Sequence, residues 1–220
     1  MARFNLNKSG ERFNLSKNEG GGAPLNKMRI CMGWEPNEDP NGPNFDLDVS
    51  AFMIGTDFKI PDDGFFVFYG CDNTGVDEQG NVRPLSQDGA MYGAVDVKDA
   101  SEDESAAEGD DQEDMLLDLS KVDPRVEQII VAVTICKYPN DEARDRRTLA
   151  LNFGMVNNCY VRLIDERTKE EVLRYDLANT FSNEDAVEFC RIYRLGREWE
   201  FESLGRGSQG SLPGLIEMYT

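Results

Sequence analysis

The sequence contains no histidine among its 220 residues. Without imidazole there is no Ser-His-Asp triad, no Cys-His pair and no zinc site that uses histidine. The usual general base near neutral pH is missing as well. An enzyme with this sequence would have to work with carboxylates, lysine, tyrosine or a bound metal ion.

Basic residues are scarce: 23 Lys and Arg stand against 42 Asp and Glu, a formal net charge of −19. This balance argues against a nucleic-acid partner, because phosphate contacts need clustered cations. It also disfavours binding to an anionic membrane surface. An acidic surface attracts cations or a basic partner. Since 40% of the residues are hydrophobic, the chain is still predicted to fold around a core.

Long apolar runs and paired cysteines are also absent. No uninterrupted apolar stretch approaches the roughly 20 residues of a membrane span, and residues 1–20 lack the apolar segment of a secretory signal. The five cysteines form no Cys-x-x-Cys pair, and four of them sit in apolar runs, which predicts buried thiols in a reducing compartment. The sequence therefore predicts a cytoplasmic protein with no membrane insertion.

Short segments with period-two alternation recur along the chain, separated by turn residues. Helical periodicity is rare, and one short helix is expected over 141–153. The pattern predicts an all-β fold, a β-sandwich of two mainly antiparallel sheets with at most one or two short helices. The expected strands are 28–34, 45–54, 64–69, 115–119, 128–136, 158–165, 171–176, 186–194 and 198–204.

Three segments are expected along the chain. Residues 1–27 are an N-terminal extension with a first strand or two, around Phe4 and Phe13, and a glycine-rich joint. Residues 28–205 form the sandwich domain. Residues 206–220 begin in the glycine-rich stretch 205–210 and are expected to be a C-terminal tail.

One segment is unusually acidic. Residues 96–118 contain eleven Asp and Glu and a single base, Lys98, which gives a local charge of −10. Such a run is most often a solvated loop. The alternative is that some of its carboxylates face others across a metal ion.

A pair of aspartates supports the metal hypothesis. Asp46 and Asp48 alternate with Phe45, Leu47 and Val49, so both carboxylates share one face of a strand. They lie about 7 Å apart, and a cation between them would relieve their repulsion. Oxygen donors without histidine or a nearby thiolate favour Ca²⁺ over zinc or copper. The alternative is that the two aspartates only keep a solvent-facing side polar.

Gly33-Trp34 is followed by Phe45-Asp46-Leu47-Asp48-Val49-Ser50-Ala51-Phe52. Further blocks follow up to residue 205: 66–69, 109–113, 118–119 with 129–131, 153–162, 174–177 and 199–201. In sequence and in order, these blocks closely resemble the signature of the tellurium-resistance TerD family.

The resemblance implies a compact β-sandwich with calcium-binding loops at one end. It also implies a binding protein, not an enzyme, of bacterial or phage-related stress and defence systems linked to tellurite, phage and colicin resistance. In that case Ca²⁺ orders the acidic loop 88–114 for a protein partner, and exposed strand edges permit self-association. Transferred position by position, the ligands of one or two Ca²⁺ ions are Asp46, Asp48, Asp88, Asp110, Asp111 and Glu113.

Two departures from the family's pattern bear on these sites. Gly89 follows Asp88 where the family has an asparagine ligand, and Gln112 replaces an expected glutamate unless the alignment shifts onto Glu113. One of the two calcium sites usual for the family is therefore expected to be altered or lost.

Two other functions remain open. In one, clustered carboxylates hold Mg²⁺ or Mn²⁺ in a hydrolase or phosphotransferase, although the sequence offers no nucleophile and no phosphate-binding loop. The carboxylates of that hypothesis are Asp46, Asp48, Asp110 and Asp111. In the other, the protein is a structural scaffold whose acids only keep it soluble.

Overall fold

A computed structural model of the chain describes residues 4–6, 8–17, 23–35, 45–95, 111–137, 150–177 and 181–220. Strands account for 46% of these described residues, which form two large, mainly antiparallel sheets and one short α-helix. This confirms the predicted all-β sandwich. Within the described residues, no helix has the length and apolar character needed to cross a membrane.

The first sheet has six strands. They are β1 (Phe4–Leu6), β3 (Lys27–Gly33), β8 (Met91–Tyr92), β9 (Glu113–Asp118), β11 (Tyr160–Asp165) and β12 (Glu171–Asp176). Their order across the sheet is β1-β12-β11-β3-β9-β8. β1 runs parallel to β12, and the other neighbouring pairs are antiparallel.

The second sheet also has six strands, all antiparallel to their neighbours. They are β2 (Arg12–Asn14), β4 (Leu47–Ile54), β5 (Phe66–Val67), β10 (Gln128–Ile135), β13 (Ala186–Leu195) and β14 (Glu198–Ser208). Their order is β2-β14-β13-β10-β4-β5. A separate hairpin pairs β6 (Thr74–Val76) with β7 (Val82–Pro84).

The main core lies between the two sheets and is built from the inward side chains of alternating strand residues. On β4, Leu47, Val49 and Ala51 belong to this core. The opposite face of β4 is covered as well, because Phe52 and Ile54 belong to a second apolar cluster beneath the helix α1 (Ser211–Tyr219). β4 is therefore buried along its whole length.

The expected division at residues 27 and 205 does not separate structural units. β1 and β2 extend the two sheets at their edges. Residues 206–220, expected as a tail, form the end of β14 and then α1, whose Leu215 and Tyr219 are buried against the second sheet.

Eight of the nine expected strands lie within a few residues of the observed bounds. The ninth, 64–69, is shortened to β5 because a 3-10 turn over Asp63–Phe65 precedes it. Most of the helix expected over 141–153 lies outside the described residues, and its end is a 3-10 turn over Phe153–Met155. All five cysteines are free thiols: Cys31, Cys159 and Cys190 are buried, and Cys71 and Cys136 are half-buried.

Candidate metal centre

One end of the sandwich collects several of the carboxylates expected from the sequence. β3 ends there at Gly33, and β4 and β9 begin there at Leu47 and Glu113. We call this end the rim. The neighbouring segments 36–44 and 96–110 lie outside the described residues, and so does the candidate ligand Asp110.

Asp46 and Asp48 are buried at the rim, with 7% and 6% of their surface exposed. Because Leu47 and Val49 face the main core, the two aspartates share the opposite face of the chain, as the alternation predicted. The alternative that they keep a solvent-facing side polar is wrong, since neither is solvent-facing. The backbone amide of Cys136 donates to the carbonyl oxygen of Asp46 at 2.7 Å, so one cysteine does lie at the rim.

Two hydroxyl residues that the sequence did not single out extend this face. Ser50 follows Asp48 at the next alternate position, and its buried hydroxyl has no hydrogen-bond partner in the described part of the chain. Thr134 on β10 lies opposite Asp48 in the register and is 1% exposed. Ser50 could have been found from the sequence, because it continues the two-residue spacing of Asp46 and Asp48. Thr134 was hidden within an apolar run.

Glu113 approaches the same strand from the first sheet. It is 4% exposed, and its Oε2 accepts a hydrogen bond from the backbone amide of Val49 at 2.8 Å. β5 pairs only with Ala51 and Phe52, so Val49 lies beyond the end of β5 on that edge of β4. The Glu113 carboxylate therefore lies beside the residue that follows Asp48.

Asp111 lies on the outer face of the first sheet. Its Oδ1 accepts a hydrogen bond from the Tyr160 hydroxyl at 3.0 Å. Arg162 donates to both carboxylate oxygens of Asp111, from Nε to Oδ1 at 2.8 Å and from Nη2 to Oδ2 at 2.6 Å. The hydrogen bond to Asp111 raises the pKa of Arg162. Asp111 is thus hydrogen-bonded to Arg162 on the first sheet. It does not lie beside Asp46 and Asp48, because those two side chains are on the outer face of the second sheet.

Asp88 lies at the end of the sandwich opposite the rim. Its Oδ1 accepts from the Ser86 hydroxyl at 2.6 Å and the Ala90 amide at 3.0 Å, and its Oδ2 accepts from the Asp123 amide at 2.9 Å. Asp123 precedes the start of β10, which pairs with the far end of β4. A strand length of about 25 Å therefore separates Asp88 from the rim, and its carboxylate fixes the turn before β8.

The donor chemistry at the rim fits a hard cation only in part. Carboxylate and hydroxyl oxygens are the ligands Ca²⁺ prefers, and it takes about six to eight of them. Across the described ranges, no three Cys, Asp or Glu side chains form a group that could hold a metal ion by themselves. A complete shell would need further oxygen donors from backbone, water or residues outside the described ranges.

Comparison with known proteins finds a matching family, several relatives in sequence and a solved structure with a similar fold. The model of the TerD domain family matches residues 3–219. General stress protein 16U of Bacillus subtilis (strain 168) is 33% identical over 96% of this chain and 94% of that protein. Tellurium resistance protein TerD of Serratia marcescens is 30% identical over 94% of this chain and 97% of that protein. The crystal structure of SAV2460, a protein of unknown function, matches the fold with a TM-score of 0.61 at 21% identity, covering 89% of this chain and 98% of that one.

Proposed function

The chain belongs to the TerD family, and we propose that it is a cytoplasmic, non-enzymatic calcium-binding module of a bacterial stress response of the tellurium-resistance type. Relatives of the chain are named as stress and tellurium resistance proteins. In this proposal Ca²⁺ neutralises the rim carboxylates and holds the acidic segment near residue 110 against the rim. The assembled rim then binds a protein partner or a second copy of the chain.

The observation that carries the proposal is the burial of Asp46 and Asp48 on one face of the chain. Two carboxylates that share one buried face repel each other, and a cation between them would remove that repulsion. Among the described residues the buried Ser50 hydroxyl on the same face has no hydrogen-bond partner, and this supports a ligand here, because buried polar groups in native proteins are rarely left without a partner. Asp46 and Asp48 would hold the ion, and Ser50, Glu113 and Asp110 are the candidates to complete the shell.

The hydrogen bonds that Asp88 and Asp111 already accept favour the binding of one calcium ion over two. Each accepts several hydrogen bonds from the protein, Asp88 from a turn and Asp111 from Arg162 and Tyr160. The same observation weakens the Mg²⁺ or Mn²⁺ hydrolase hypothesis, since Asp111 is one of the four carboxylates that it requires. It supports the expectation that one of the family's two sites is altered in this chain.

The thermal midpoint of unfolding tests the proposal directly. It is measured with EGTA, with millimolar Ca²⁺ and with millimolar Mg²⁺. Calcium at a hundred times its dissociation constant adds about 2.7 kcal/mol, which for a chain of this size raises the midpoint by roughly 5–10 °C. We expect a rise with Ca²⁺ and little change with Mg²⁺.

Variants at the rim assign the ion to its ligands. The double variant Asp46→Asn/Asp48→Asn should lose calcium binding in calorimetry and keep its fold, whereas the exposed Asp72→Asn control should bind as before. Undiminished calcium uptake by the double variant would overturn the assignment. No thermal shift with either ion would support the scaffold hypothesis, and phosphate release from a substrate panel with Mg²⁺ would support the hydrolase.

Self-association is tested separately from metal binding. Sedimentation of the full chain with Ca²⁺ and with EGTA should show a calcium-dependent change in mass if the assembled rim binds a second copy. An unchanged mass in both conditions, together with calcium binding, would direct the search to a different protein partner.

A further inference from the structure

A cleft of about 760 Å³ opens on the outer face of the first sheet, at the end opposite the rim. Its floor is a row of neighbours in the strand register: Tyr92 on β8, Leu116 on β9 and Arg29 on β3. The β6–β7 hairpin forms one wall, and the turn between β11 and β12 forms the other. A concave site of this size is typical of small-molecule binding.

Both walls are fastened to the sheet by a chain of ion pairs. Arg83, which is 4% exposed, lies 2.7 Å from Asp77 of the hairpin and 3.1 Å from Asp114 of β9. Asp114 in turn lies 2.6 Å from Arg29, and Arg29 lies 2.7 Å from Glu166 in the opposite wall. Since these charges satisfy one another, the cleft is preformed and does not depend on a ligand to hold it open.

The charge of the lining differs from that of the protein as a whole. The chain carries a net charge of −19, whereas the lining contains five cations and five acids. Each of these acids lies within 4 Å of a lysine or arginine, and Glu78 and Asp118 share Lys27. The five acids are Asp77, Glu78, Asp118, Asp165 and Glu166.

Two of the lining cations make no side-chain hydrogen bond to an acid within the described ranges, although Lys27 lies in two long ion pairs. The ammonium group of Lys121 has no hydrogen-bond or ionic partner within the described ranges. Lys27 lies 3.6 Å from Glu78 and 3.7 Å from Asp118, which is longer than a hydrogen bond. Both lysines adjoin a floor whose Tyr92 and Leu116 are half-exposed.

We propose that this cleft binds a small organic anion. The apolar or aromatic body of the ligand lies against Tyr92 and Leu116, and its phosphate or carboxylate lies between Lys27 and Lys121. Lysine is a point charge that accepts either kind of anion, so the shared chemistry is a single anionic group on an apolar body. The exposed side chain of Val76, on the hairpin, adds apolar surface at the mouth. The proposal is independent of calcium, since the cleft and the rim lie at opposite ends of the sandwich.

Titration of the ¹⁵N-labelled full chain with phenyl phosphate, benzoate and inorganic phosphate tests the proposal by NMR, in EGTA and again with Ca²⁺. We expect phenyl phosphate to shift amides of 27–29, 90–92 and 116–121 with a millimolar dissociation constant. Inorganic phosphate should bind about fivefold more weakly, because it makes no contact with the ring of Tyr92. The comparison of phenyl phosphate with benzoate identifies the preferred anionic group.

Variants of the two lysines decide the outcome. Lys121→Glu and Lys27→Gln should each weaken phenyl phosphate binding about tenfold, while Lys8→Glu, an exposed lysine remote from the cleft, should leave it unchanged. The proposal is overturned if Lys121→Glu binds as wild type does, if the shifted amides lie at the rim, or if none of the probes binds. Because EGTA is present in one arm, these results do not depend on whether the calcium site exists.

Discussion

The carboxylate of Glu113, on one sheet, accepts a hydrogen bond at 2.8 Å from the backbone amide of Val49, on the other. Both residues are buried, with 4% and 3% of their surface exposed. This contact satisfies an edge amide of β4 beyond the point where β5 stops pairing. Glu113 is therefore a structural residue of the rim whether or not it also binds a metal ion.

We expect Glu113→Ala to lower the free energy of unfolding by about 2 kcal/mol, because it leaves the Val49 amide buried without an acceptor. Glu113→Gln should lose less, since an amide oxygen can still accept that hydrogen bond. Urea unfolding in EGTA measures both, and Asp72→Ala, at an exposed position, serves as the control with a change below about 0.5 kcal/mol. Equal stability of all three variants would contradict the structural role.

A second prediction concerns pH and the β6–β7 hairpin. Burial raises the pKa of Asp77, but hydrogen bonds from Asn81, Arg83 and the amide of Gln79 outweigh it and lower the pKa from 3.8 to about 2. A carboxyl group whose folded pKa lies below its unfolded value stabilises the protein above the unfolded pKa. That contribution is lost as the pH falls through the folded pKa.

We therefore expect the stability difference between wild type and Asp77→Asn to be constant above about pH 5 and to shrink between about pH 4 and 2. Thermal unfolding of both proteins across this range measures the difference and cancels the titration of the other acids. If the stability curves of wild type and Asp77→Asn stay parallel down to pH 2, the titration of Asp77 does not contribute to the pH dependence of stability.

The third prediction concerns the contacts that hold α1 against the second sheet. The Tyr219 hydroxyl donates to Glu188 on β13, and the other carboxylate oxygen of Glu188 lies 3.0 Å from Arg206. The Tyr219 ring also packs against Phe52, with ring centroids 4.9 Å apart. Burial and the contact with Glu188 raise the pKa of Tyr219, so the hydroxyl keeps its proton and remains a donor.

Tyr219→Phe should lower the free energy of unfolding by about 1–2 kcal/mol, because Glu188 loses a donor while staying buried. Tyr69→Phe is the matched control, since Tyr69 is 44% exposed. Chemical unfolding followed by near-ultraviolet circular dichroism reports on both. Unchanged midpoints in the Tyr219 variant would show that ring packing alone holds the helix.

The sequence predicts the sandwich well where apolar and polar residues alternate, because one buried face imposes a period of two. The short strands β6, β7 and β8 could not be predicted from this alternation. The hairpin is held by ion pairs of Arg83 with Asp77 and Asp114, which leave no hydrophobic pattern. α1 does carry a helical pattern in Leu212, Leu215, Ile216 and Tyr219, but Pro213 and Gly214 obscured it.

The candidate site was predictable to a similar degree. Alternation alone places Asp46 and Asp48 on one face, and burial at the start of β4 agrees with it. The contact of Asp88 with Asp123 and the contacts of Asp111 were not predictable, because they join residues distant in sequence. Arg162, for example, meets Asp111 from 51 residues away.

The last prediction explains why glycine precedes Trp34. A Cβ atom at Gly33 would collide with the side chain of Tyr160, because the Tyr160 ring crosses β3 so that its hydroxyl can donate to Asp111. The guanidinium of Arg174 lies 3.6 Å from the centroid of the same ring. Gly33→Ala must therefore displace Tyr160 and break both contacts.

We expect Gly33→Ala to cost about 2 kcal/mol of stability, as overpacking does elsewhere, and Tyr160→Ala to cost about 3 kcal/mol. In the double variant the new methyl group has no ring to collide with. The combined loss should therefore be smaller than the sum of the single losses by about 1–2 kcal/mol. Urea unfolding of the four proteins gives this coupling energy. Simple additivity would mean that the steric conflict is absorbed elsewhere, and that Gly33 is not required by Tyr160.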